Sequence, residues 1–279
     1  MPEKMQKQKL SEPSGKPEAG QASIRVLAQS EDFAEAAERL AARLGIDCAA
    51  GGNNPDNAAD PGDSPVLLIG ERGLSLCAGD AGLRADFAGM IPRLTQRNLA
   101  QELLVRAARL KGDRSSMTVV DATAGFGEDS LLLAAAGFRV KMYECNPYIA
   151  ELLSDALRRA SEDSRLAPVA ARMELICGDS IEALRTMATP PDIVYLDPMF
   201  PKRTKSAAVG KKFQLLHLLE RPCENEEELF AAALAAAPRR IIIKRPVKGA
   251  LLAGRKPAYT LSGKAVRYDV IEPASFAGK

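Results

Sequence analysis

The chain has no tryptophan, a single histidine and only five cysteines among its 279 residues. With His217 as the only histidine, a histidine-rich metal site and a Ser-His-Asp triad are nearly excluded. The cysteines are odd in number and form no C-x-x-C pair, which indicates reduced thiols rather than a disulfide framework or a zinc site. No stretch approaches the roughly 18 apolar residues of a membrane span, and the polar amino terminus lacks a signal-peptide core. These absences predict a soluble, cytoplasmic protein with neither a metal nor a membrane partner.

The chain also lacks any large excess of charge. It has 38 Lys and Arg residues against 36 Asp and Glu residues, a formal net charge of +2. A nucleic-acid partner would therefore have to be bound by a local basic patch rather than by general basicity. With 46% hydrophobic and 27% charged residues, the composition is that of an ordinary globular protein with one large domain, or a core domain and a smaller one.

The composition changes along the chain and predicts three parts. Residues 1–22 are rich in Lys, Glu, Pro, Gly and Gln and are expected to form a disordered tail. Residues 23–112 are expected to form a small amino-terminal α+β subdomain that includes a flexible Gly, Asn and Pro-rich connection at 49–65. Residues 113–279 alternate predicted strands with predicted helices, which indicates an α/β domain with a doubly wound, mostly parallel sheet.

Hydrophobic periodicity gives the expected elements. In the first part, strands are predicted at 24–27, 66–69, 74–77 and 83–87, the last three antiparallel, and helices at 32–44 and 99–110. In the second part, strands are predicted at 118–121, 138–143, 172–177, 192–196, 240–244 and 266–271, and helices near 129–136, 148–160, 180–187 and 226–237. The connection before the last strand is too short for a crossover helix, so this strand is expected to enter antiparallel.

A turn with two glycines separates the strand that ends at Asp121 from the next helix. Gly125 and Gly127 let a ligand approach the backbone closely, and Glu128 and Asp129 then open the helix. Two acids at a helix start repel a pyrophosphate, and the third glycine of a dinucleotide-binding loop is absent. The turn therefore argues against a nicotinamide-dependent oxidoreductase, which would share the sheet. It favours S-adenosylmethionine, a sulfonium cofactor that carries no phosphate.

Polar residues also follow the next two predicted strands. Glu144 ends the second strand, where a carboxylate binds ribose hydroxyls, and Cys145 would lie beside the adenine. Asp179 and Ser180 follow the third strand and either bond the adenine edge or cap the next helix. Each residue alone has a structural explanation, but acids at three successive strand ends favour a cofactor site. The predicted cofactor contacts are Asp121, Gly125, Gly127, Glu128, Asp129, Glu144, Cys145, Asp179, Ser180 and Asp197.

The sequence Asp-Pro-Met-Phe-Pro at 197–201 follows the apolar fourth strand, and in open α/β sheets it would border the same crevice. Methylating an exocyclic amine requires acceptors for the amine hydrogens, because the nitrogen lone pair is delocalised into the ring. Asp197 and the Pro198 carbonyl supply acceptors, Phe200 supplies a stacking face for a flipped base, and Asp197 also receives the released proton. The structural alternative is a strand-end turn with Phe200 in the core. Beside a cofactor loop, the segment favours catalysis by Asp197, Pro198 and Phe200.

Basic residues without an intervening acid come next: Lys202, Arg203, Lys205, Lys211 and Lys212. Lys244 and Arg245, at the end of the fifth strand, are expected to extend the same patch. A mobile basic loop beside a base pocket would clamp RNA phosphates, so these seven residues are the predicted RNA contacts. The alternative is a solvated charge run, while a non-catalytic RNA-binding module is disfavoured by the weak net charge.

Four segments together resemble the J-type bacterial 16S rRNA (guanine-N2)-methyltransferases, the ribosomal RNA small subunit methyltransferase J family. They are residues 121–129, 143–147, 194–201 and 244–246, within a likeness that covers roughly 65–279, and Asp-Pro-Met-Phe-Pro is the specific part. The resemblance implies a Rossmann-like class I S-adenosylmethionine-dependent methyltransferase that modifies the N2 amine of a guanine. It also implies 16S rRNA or the small ribosomal subunit as partner. Carried over by position, the cofactor contacts are Glu128–Asp129, Glu144–Cys145, Asp179–Ser180 and Asp197.

Two residues depart from the family pattern. Glu128 and Cys145 stand where a basic residue is common, so this end of the pocket is expected to be more acidic. Within the same chemistry, an adenine-N6 or protein glutamine methyltransferase would use a similar segment, usually with Asn in place of Asp197.

Overall fold

The computed structural model of the chain describes residues 24–49, 65–79, 81–198, 219 and 225–273. The predicted tail at 1–22 and nearly all of the predicted connection at 49–65 lie outside these residues. Within them the chain forms two β-sheets with helices around them. No helix in the described ranges is both long and apolar enough to cross a membrane.

The smaller sheet contains five strands in the order β2-β1-β3-β4-β5. They are β1 (Arg25–Ala28), β2 (Cys48–Ala49), β3 (Val66–Gly70), β4 (Gly73–Ala78) and β5 (Ala81–Leu83). Strands β3, β4 and β5 are antiparallel, as predicted, but β1 pairs in parallel with both β2 and β3. The parallel pair follows from helix α1 (Ala34–Leu44), which carries the chain back from β1 to β2 as a crossover. The sheet is therefore mixed.

The prediction of a strand at 83–87 is wrong beyond residue 83. The chain leaves the sheet after β5, and the Asp86 carboxylate accepts a hydrogen bond of 3.0 Å from the Ala88 amide. This contact begins a 3-10 helix at Ala88–Leu94 that continues towards the larger sheet.

The predicted helix at 99–110 is two short helices, α2 (Gln96–Leu99) and α3 (Leu103–Ala107). Glu102 separates them with an extended backbone, and its carboxylate accepts two hydrogen bonds, of 2.8 and 3.0 Å, from the Arg93 guanidinium. Helix α3 contacts strands of the larger sheet. The subdomain boundary at 112 stays a prediction.

The larger sheet has seven strands in the order β11-β12-β10-β9-β6-β7-β8. They are β6 (Thr118–Asp121), β7 (Arg139–Glu144), β8 (Met173–Cys177), β9 (Ile193–Leu196), β10 (Arg240–Pro246), β11 (Tyr259–Ser262) and β12 (Val266–Ile271). Its helices are α4 (Glu128–Ala135), α5 (Pro147–Glu162), α6 (Ala167–Ala170), α7 (Ser180–Arg185) and α8 (Glu226–Ala235), and short 3-10 helices lie at Glu31–Phe33, Arg114–Ser116 and Leu252–Gly254. All six predicted strands of this region are confirmed to within two residues at each end.

The antiparallel entry of the last strand is confirmed, because β12 pairs antiparallel with β10. Sequence reasoning missed β11, which it had assigned to a turn. This edge strand has four residues, and only Leu261 among them is even partly buried, so it carries no alternating apolar pattern. It also missed α6, which is a single turn of four residues.

Helix α5 joins the two sheets. Ile149 and Leu152 on one side of it belong to the same apolar cluster as β4, whereas Leu153 belongs to the core of the larger sheet. The Asp155 carboxylate also accepts a hydrogen bond of 3.0 Å from the amide of Leu74. The smaller sheet therefore rests on a helix of the larger one.

The chain order reverses at the centre of the larger sheet. From β6 the chain builds β7 and β8 on one side, and then crosses to build β9 and β10 on the other. The central strands are fully buried, with Val119, Val120, Ile193 and Val194 at 0% exposure. In such sheets a crevice opens at the carboxyl ends of the two strands where the order reverses, here β6 and β9.

Candidate active site

Asp121 ends β6 and lies beneath the glycine turn. The residue is 1% exposed, and its carboxylate accepts hydrogen bonds from the Thr123 amide (3.0 Å) and the Ser130 hydroxyl (2.6 Å). Burial, with a contribution from the charges of Asp129 and Asp197, raises the pKa of this carboxyl to about 7. Asp121 therefore holds the turn from inside the protein.

The two glycines of the turn have different surroundings. Both have a positive φ, +54° at Gly125 and +74° at Gly127, which side chains other than glycine rarely adopt. A Cβ at Gly127 would lie 2.7 Å from Leu153 Cδ1, whereas a Cβ at Gly125 would meet no atom of the described residues within 4 Å. Gly127 is thus required by packing, and Gly125 borders open space that a ligand can use.

Glu144 ends β7 and is tied to the same turn. Its carboxylate accepts hydrogen bonds from the amides of Gly125 (2.9 Å) and Asn146 (2.8 Å), and burial raises its pKa. The next residue, Cys145, is exposed, yet desolvation of its thiol and the nearby Glu144 charge raise its pKa to about 11. Cys145 is therefore a neutral thiol at pH 7.

Asp179 and Ser180 lie next to Glu144 along the sheet edge. The end of β8 is joined to the end of β7 by a hydrogen bond of 2.9 Å from the Gly178 amide to the Glu144 carbonyl. Asp179 caps α7, since its carboxylate accepts a hydrogen bond of 2.8 Å from the Ile181 amide, and Ser180 is buried. The structure thus supports the helix-cap alternative for Asp179, and a cofactor contact there stays a prediction.

An ion cluster lies on the other side of the glycine turn. Lys244 Nζ, at the end of β10, lies 2.7 Å from Asp129 Oδ2 and 2.9 Å from Asp197 Oδ2. The buried Tyr195 hydroxyl donates to the same Asp129 oxygen at 2.6 Å, and the Asp197 amide donates to the Thr123 hydroxyl at 2.7 Å. The first turn of α4, the end of β9 and the end of β10 are thereby held together around one lysine.

The charges in this cluster shift one another's pKa values. Burial lowers the pKa of Lys244, but the carboxylates of Asp129 and Asp197 outweigh it and raise the pKa above its usual range. Partial burial raises the pKa of Asp197, against the lowering effect of Lys244. Lys244 is therefore a cation, and it favours the ionised form of Asp197.

The match to known proteins agrees with this geometry. Residues 58–273 match the family model of SAM-dependent methyltransferases. A ribosomal RNA small subunit methyltransferase J from Thioalkalivibrio sulfidiphilus is 41% identical over 249 residues, which cover 86% of this chain and 94% of that protein. Another from Pseudomonas aeruginosa is 40% identical over 264 residues, covering 92% of this chain and 97% of that protein.

The chain belongs to the ribosomal RNA small subunit methyltransferase J family. The crystal structure of a SAM-dependent methyltransferase from Neisseria gonorrhoeae is also similar, with a TM-score of 0.65 and 30% identity over 89% of this chain and 96% of that chain. The protein is thus an S-adenosylmethionine-dependent methyltransferase with the Rossmann-like class I fold. The predicted fold class, enzyme class and cofactor are confirmed.

The residues present fit this cofactor. Four carboxyl groups, those of Asp121, Asp129, Glu144 and Asp197, lie around the glycine turn, and Lys244 forms ion pairs with two of them. An excess of acids suits a sulfonium and disfavours a pyrophosphate. The open space beside Gly125 lets a ligand approach the turn without a steric conflict.

Two predicted RNA contacts are not where the sequence suggested. Lys244 is only partly exposed, and its ammonium is paired with the carboxylates of Asp129 and Asp197. Arg245 is 4% exposed, and its Nε donates to the Ala250 carbonyl at 2.8 Å. The structure thus places Lys244 in an ion cluster and Arg245 among buried strand residues, and a contact of either residue with RNA phosphates stays a prediction.

The remaining predicted residues divide into two groups. Glu128 is exposed at the first position of α4, and Pro198 is buried directly after Asp197. Phe200, Lys202, Arg203, Lys205, Lys211, Lys212 and His217 lie outside the residues that the structure describes. Sequence reasoning missed the contact of Tyr195, which reads only as a core strand residue, and the ion pairs of Lys244 with Asp129 and Asp197.

Proposed function

We propose that this methyltransferase transfers a methyl group from S-adenosylmethionine to the exocyclic N2 amine of a specific guanine in 16S ribosomal RNA. The observation that carries the proposal is the position of Asp197 at the carboxyl end of β9, beside the crevice. Its Oδ2 faces Lys244, and its amide is fixed by Thr123. The described residues offer Asp197 Oδ1 no hydrogen bond, so this oxygen is available to a substrate amine.

The substrate amine needs acceptors because its lone pair is delocalised into the guanine ring. Asp197 Oδ1 and the carbonyl of Pro198 accept its two hydrogens and orient the nitrogen. Phe200, which lies outside the described residues, is proposed as the face on which the base stacks. The buried Pro198 favours this orientation, because its ring fixes the φ angle of the residue directly after Asp197.

The amine loses a proton when it is methylated, and Asp197 is the proposed acceptor. Partial burial raises the pKa of this carboxyl, which makes it a better base, while Lys244 opposes that effect and keeps the group ionised beforehand. Lys244 is in turn held by Asp129, so the base has a fixed orientation.

The cofactor is proposed to lie along the edge formed by the glycine turn and the ends of β7 and β8. When bound there, S-adenosylmethionine supplies an electrophilic methyl group. Glu144 would bind the ribose hydroxyls, Cys145 and Ser180 would flank the adenine with Asp179, and Asp129 would face the positively charged end. Asp121 would contribute indirectly, by holding the turn at Thr123 and Ser130.

The names of the relatives support ribosomal RNA of the small subunit as the substrate class. The partner is proposed to be 16S rRNA or the small ribosomal subunit, which implies a cytoplasmic location. The loop with Lys202, Arg203, Lys205, Lys211 and Lys212 is still proposed to contact RNA phosphates. Replacing Lys202, Arg203 and Lys205 together should then weaken RNA binding and flatten its salt dependence.

The deciding experiment uses rRNA from cells that lack the protein. The purified enzyme is incubated with methyl-labelled S-adenosylmethionine and either deproteinised 16S rRNA or intact small subunits, and the nucleosides are identified by mass spectrometry. We expect label in N2-methylguanosine at one site. Label in adenine or in protein would assign another amine methyltransferase, and binding of NAD without S-adenosylmethionine would overturn the proposal altogether.

A further inference from the structure

A surface turn directly after Lys244 is held by buried arginines. The turn, residues 246–250, follows β10 at the catalytic edge of the sheet. The guanidinium of Arg267 donates through one nitrogen to the carbonyls of Pro246 (2.8 Å), Val247 (2.8 Å) and Gly249 (2.9 Å). Arg245 donates to the fourth carbonyl, that of Ala250, at 2.8 Å.

This support is unusual for an exposed turn. Arg267 is 8% exposed and is neutralised by Asp269, 3% exposed, at 3.0 Å. A buried ion pair is costly to desolvate and contributes little net stability, so its presence is poorly explained by folding alone. Its hydrogen bonds are directed at the turn, which they make rigid. A preorganised surface loses less entropy when a partner binds to it.

The tip of the turn presents a side-chain pair that suits a nucleic acid. Val247 is 37% exposed, and it is one of only two large apolar residues in the described part of the chain that are exposed to this extent. The next residue, Lys248, is also exposed. An ammonium contacts a phosphate, and an adjacent apolar side chain covers a ribose or a base.

A second lysine lies in an adjacent turn. The Val247 amide donates to the Ala265 carbonyl at 3.1 Å, which brings the turn between β11 and β12 next to the 246–250 turn. The exposed Lys264 is in this second turn. Within the described ranges neither Lys248 nor Lys264 forms an ion pair. Two lysines without an ion pair in the described residues, and an apolar side chain, therefore lie in two adjacent turns that follow the end of β10 carrying Lys244.

We infer that the 246–250 turn, together with Lys264, is a docking surface for the RNA backbone that flanks the methylated nucleotide. The inference rests on the proposed function and adds a surface to it. Lys248 and Lys264 bind phosphates, Val247 covers a sugar or base, and Arg267 acts only as a support for the turn. This surface adds a basic contact on this side of the crevice.

The test compares two double variants with the same change in net charge. Lys248→Glu with Lys264→Glu alters the proposed surface. Lys111→Glu with Lys256→Glu is the control, since both lysines are exposed and lie at the opposite ends of the same strands, near the start of β10 and the end of β12. Affinity for deproteinised 16S rRNA and for small subunits is measured over a range of salt concentrations, with cofactor affinity and thermal stability alongside.

We expect the Lys248 and Lys264 variant to bind 16S rRNA roughly ten- to a hundredfold more weakly at low salt, with a salt slope smaller by about two. Its affinity for S-adenosylmethionine and its melting temperature should equal those of the wild type, as should all properties of the control. Equal losses in both variants, or none in either, would overturn the inference. A loss seen with subunits but not with rRNA would assign the surface to an acidic ribosomal protein instead. Wild-type enzyme that fails to methylate rRNA would refute the proposed function itself, which is a separate result.

Discussion

Lys244 Nζ lies 2.9 Å from Asp197 Oδ2, across the adjacent ends of β10 and β9. The same ammonium lies 2.7 Å from Asp129 at the start of the helix that follows the glycine turn. One cation thus links an acid of the proposed cofactor site to the acid of the proposed substrate site. Removing it would leave two carboxylates facing each other in a partly buried crevice, so the lysine sets both the position and the ionisation of Asp197.

Asp197→Ala should abolish methyl transfer while the fold stays intact. The variant loses the acceptor for the amine hydrogens and the proton acceptor together, and general-base contributions are on the order of a hundred- to ten-thousandfold in rate. The measurement is kcat for methylation of rRNA, with circular dichroism as the check on folding. Asp163→Ala is a matched control, because Asp163 is an acid that pairs with Arg165 away from the crevice. An active Asp197 variant would remove the amine-acceptor role.

Lys244→Met should lower kcat/KM by about a hundredfold, as the loss of one preorganised charge typically does. Since Lys244 lowers the pKa of Asp197, its loss raises that pKa further, and ionisation of the base then requires a higher pH. The acidic limb of the pH–rate profile should therefore move to higher pH. Lys244→Arg keeps the charge and should restore the limb. A Lys244→Met profile that keeps the wild-type limb at a uniformly lower rate would reduce the lysine to a structural role.

The fold of the larger sheet was predictable because its central strands β6, β9 and β10 contain continuous apolar runs, and its parallel strands alternate with helices. Ile193–Leu196 is fully buried, and Asp121 and Glu144 directly follow apolar strand positions. Such patterns indicate both the element and the edge at which it ends. The short edge strand at Tyr259–Ser262 was missed because its residues are mostly exposed and show no alternation of buried and exposed positions.

The site was only partly predictable, because a sequence does not say which strands are neighbours. Lys244 and Arg245 look like a basic patch until β10 is placed beside β9, which brings Lys244 to Asp197. The hydrogen bond from the Gly125 amide to Glu144 depends likewise on the sheet order, because it joins the ends of the neighbouring strands β6 and β7. The residue types indicated the chemistry of the site, whereas its ion pairs and hydrogen bonds depend on which strands are neighbours.

The two glycines of the turn should respond differently to alanine. Gly127→Ala would place a Cβ 2.7 Å from Leu153 and adds the strain of a positive φ, so the variant should lose roughly 1 to 3 kcal/mol of unfolding free energy. The Cβ of Gly125→Ala would meet no described neighbour, and the variant should lose only about 1 kcal/mol of unfolding free energy, from backbone strain. Its main effect should be weaker cofactor binding, because the added methyl enters the open space. Chemical denaturation and calorimetric titration with S-adenosylmethionine measure the two effects, and equal cofactor affinity in Gly125→Ala and wild type would show that this space is not used.

Asp121→Asn should change how stability depends on pH. In the folded wild type, burial raises the pKa of Asp121 to about 7, well above that of an unfolded aspartate, which is about 4. Between these values the folded state holds a proton that the unfolded state has released, so wild-type stability falls relative to the variant as pH rises from about 4 to about 7. The difference should grow by at most about 1.4 kcal/mol per pH unit and then level off. Asp163→Asn provides the contrast. Hydrogen bonds from Arg165 lower the pKa of Asp163 to about 2, so its contribution to the pH dependence of stability lies below about pH 4. The measurement is the free energy of unfolding of both proteins from denaturation curves at pH 4, 5.5, 7 and 8. If the difference between wild type and Asp121→Asn stays constant, this buried carboxyl remains charged throughout. The charges of the acids around the glycine turn would then be compensated more completely than the structure indicates.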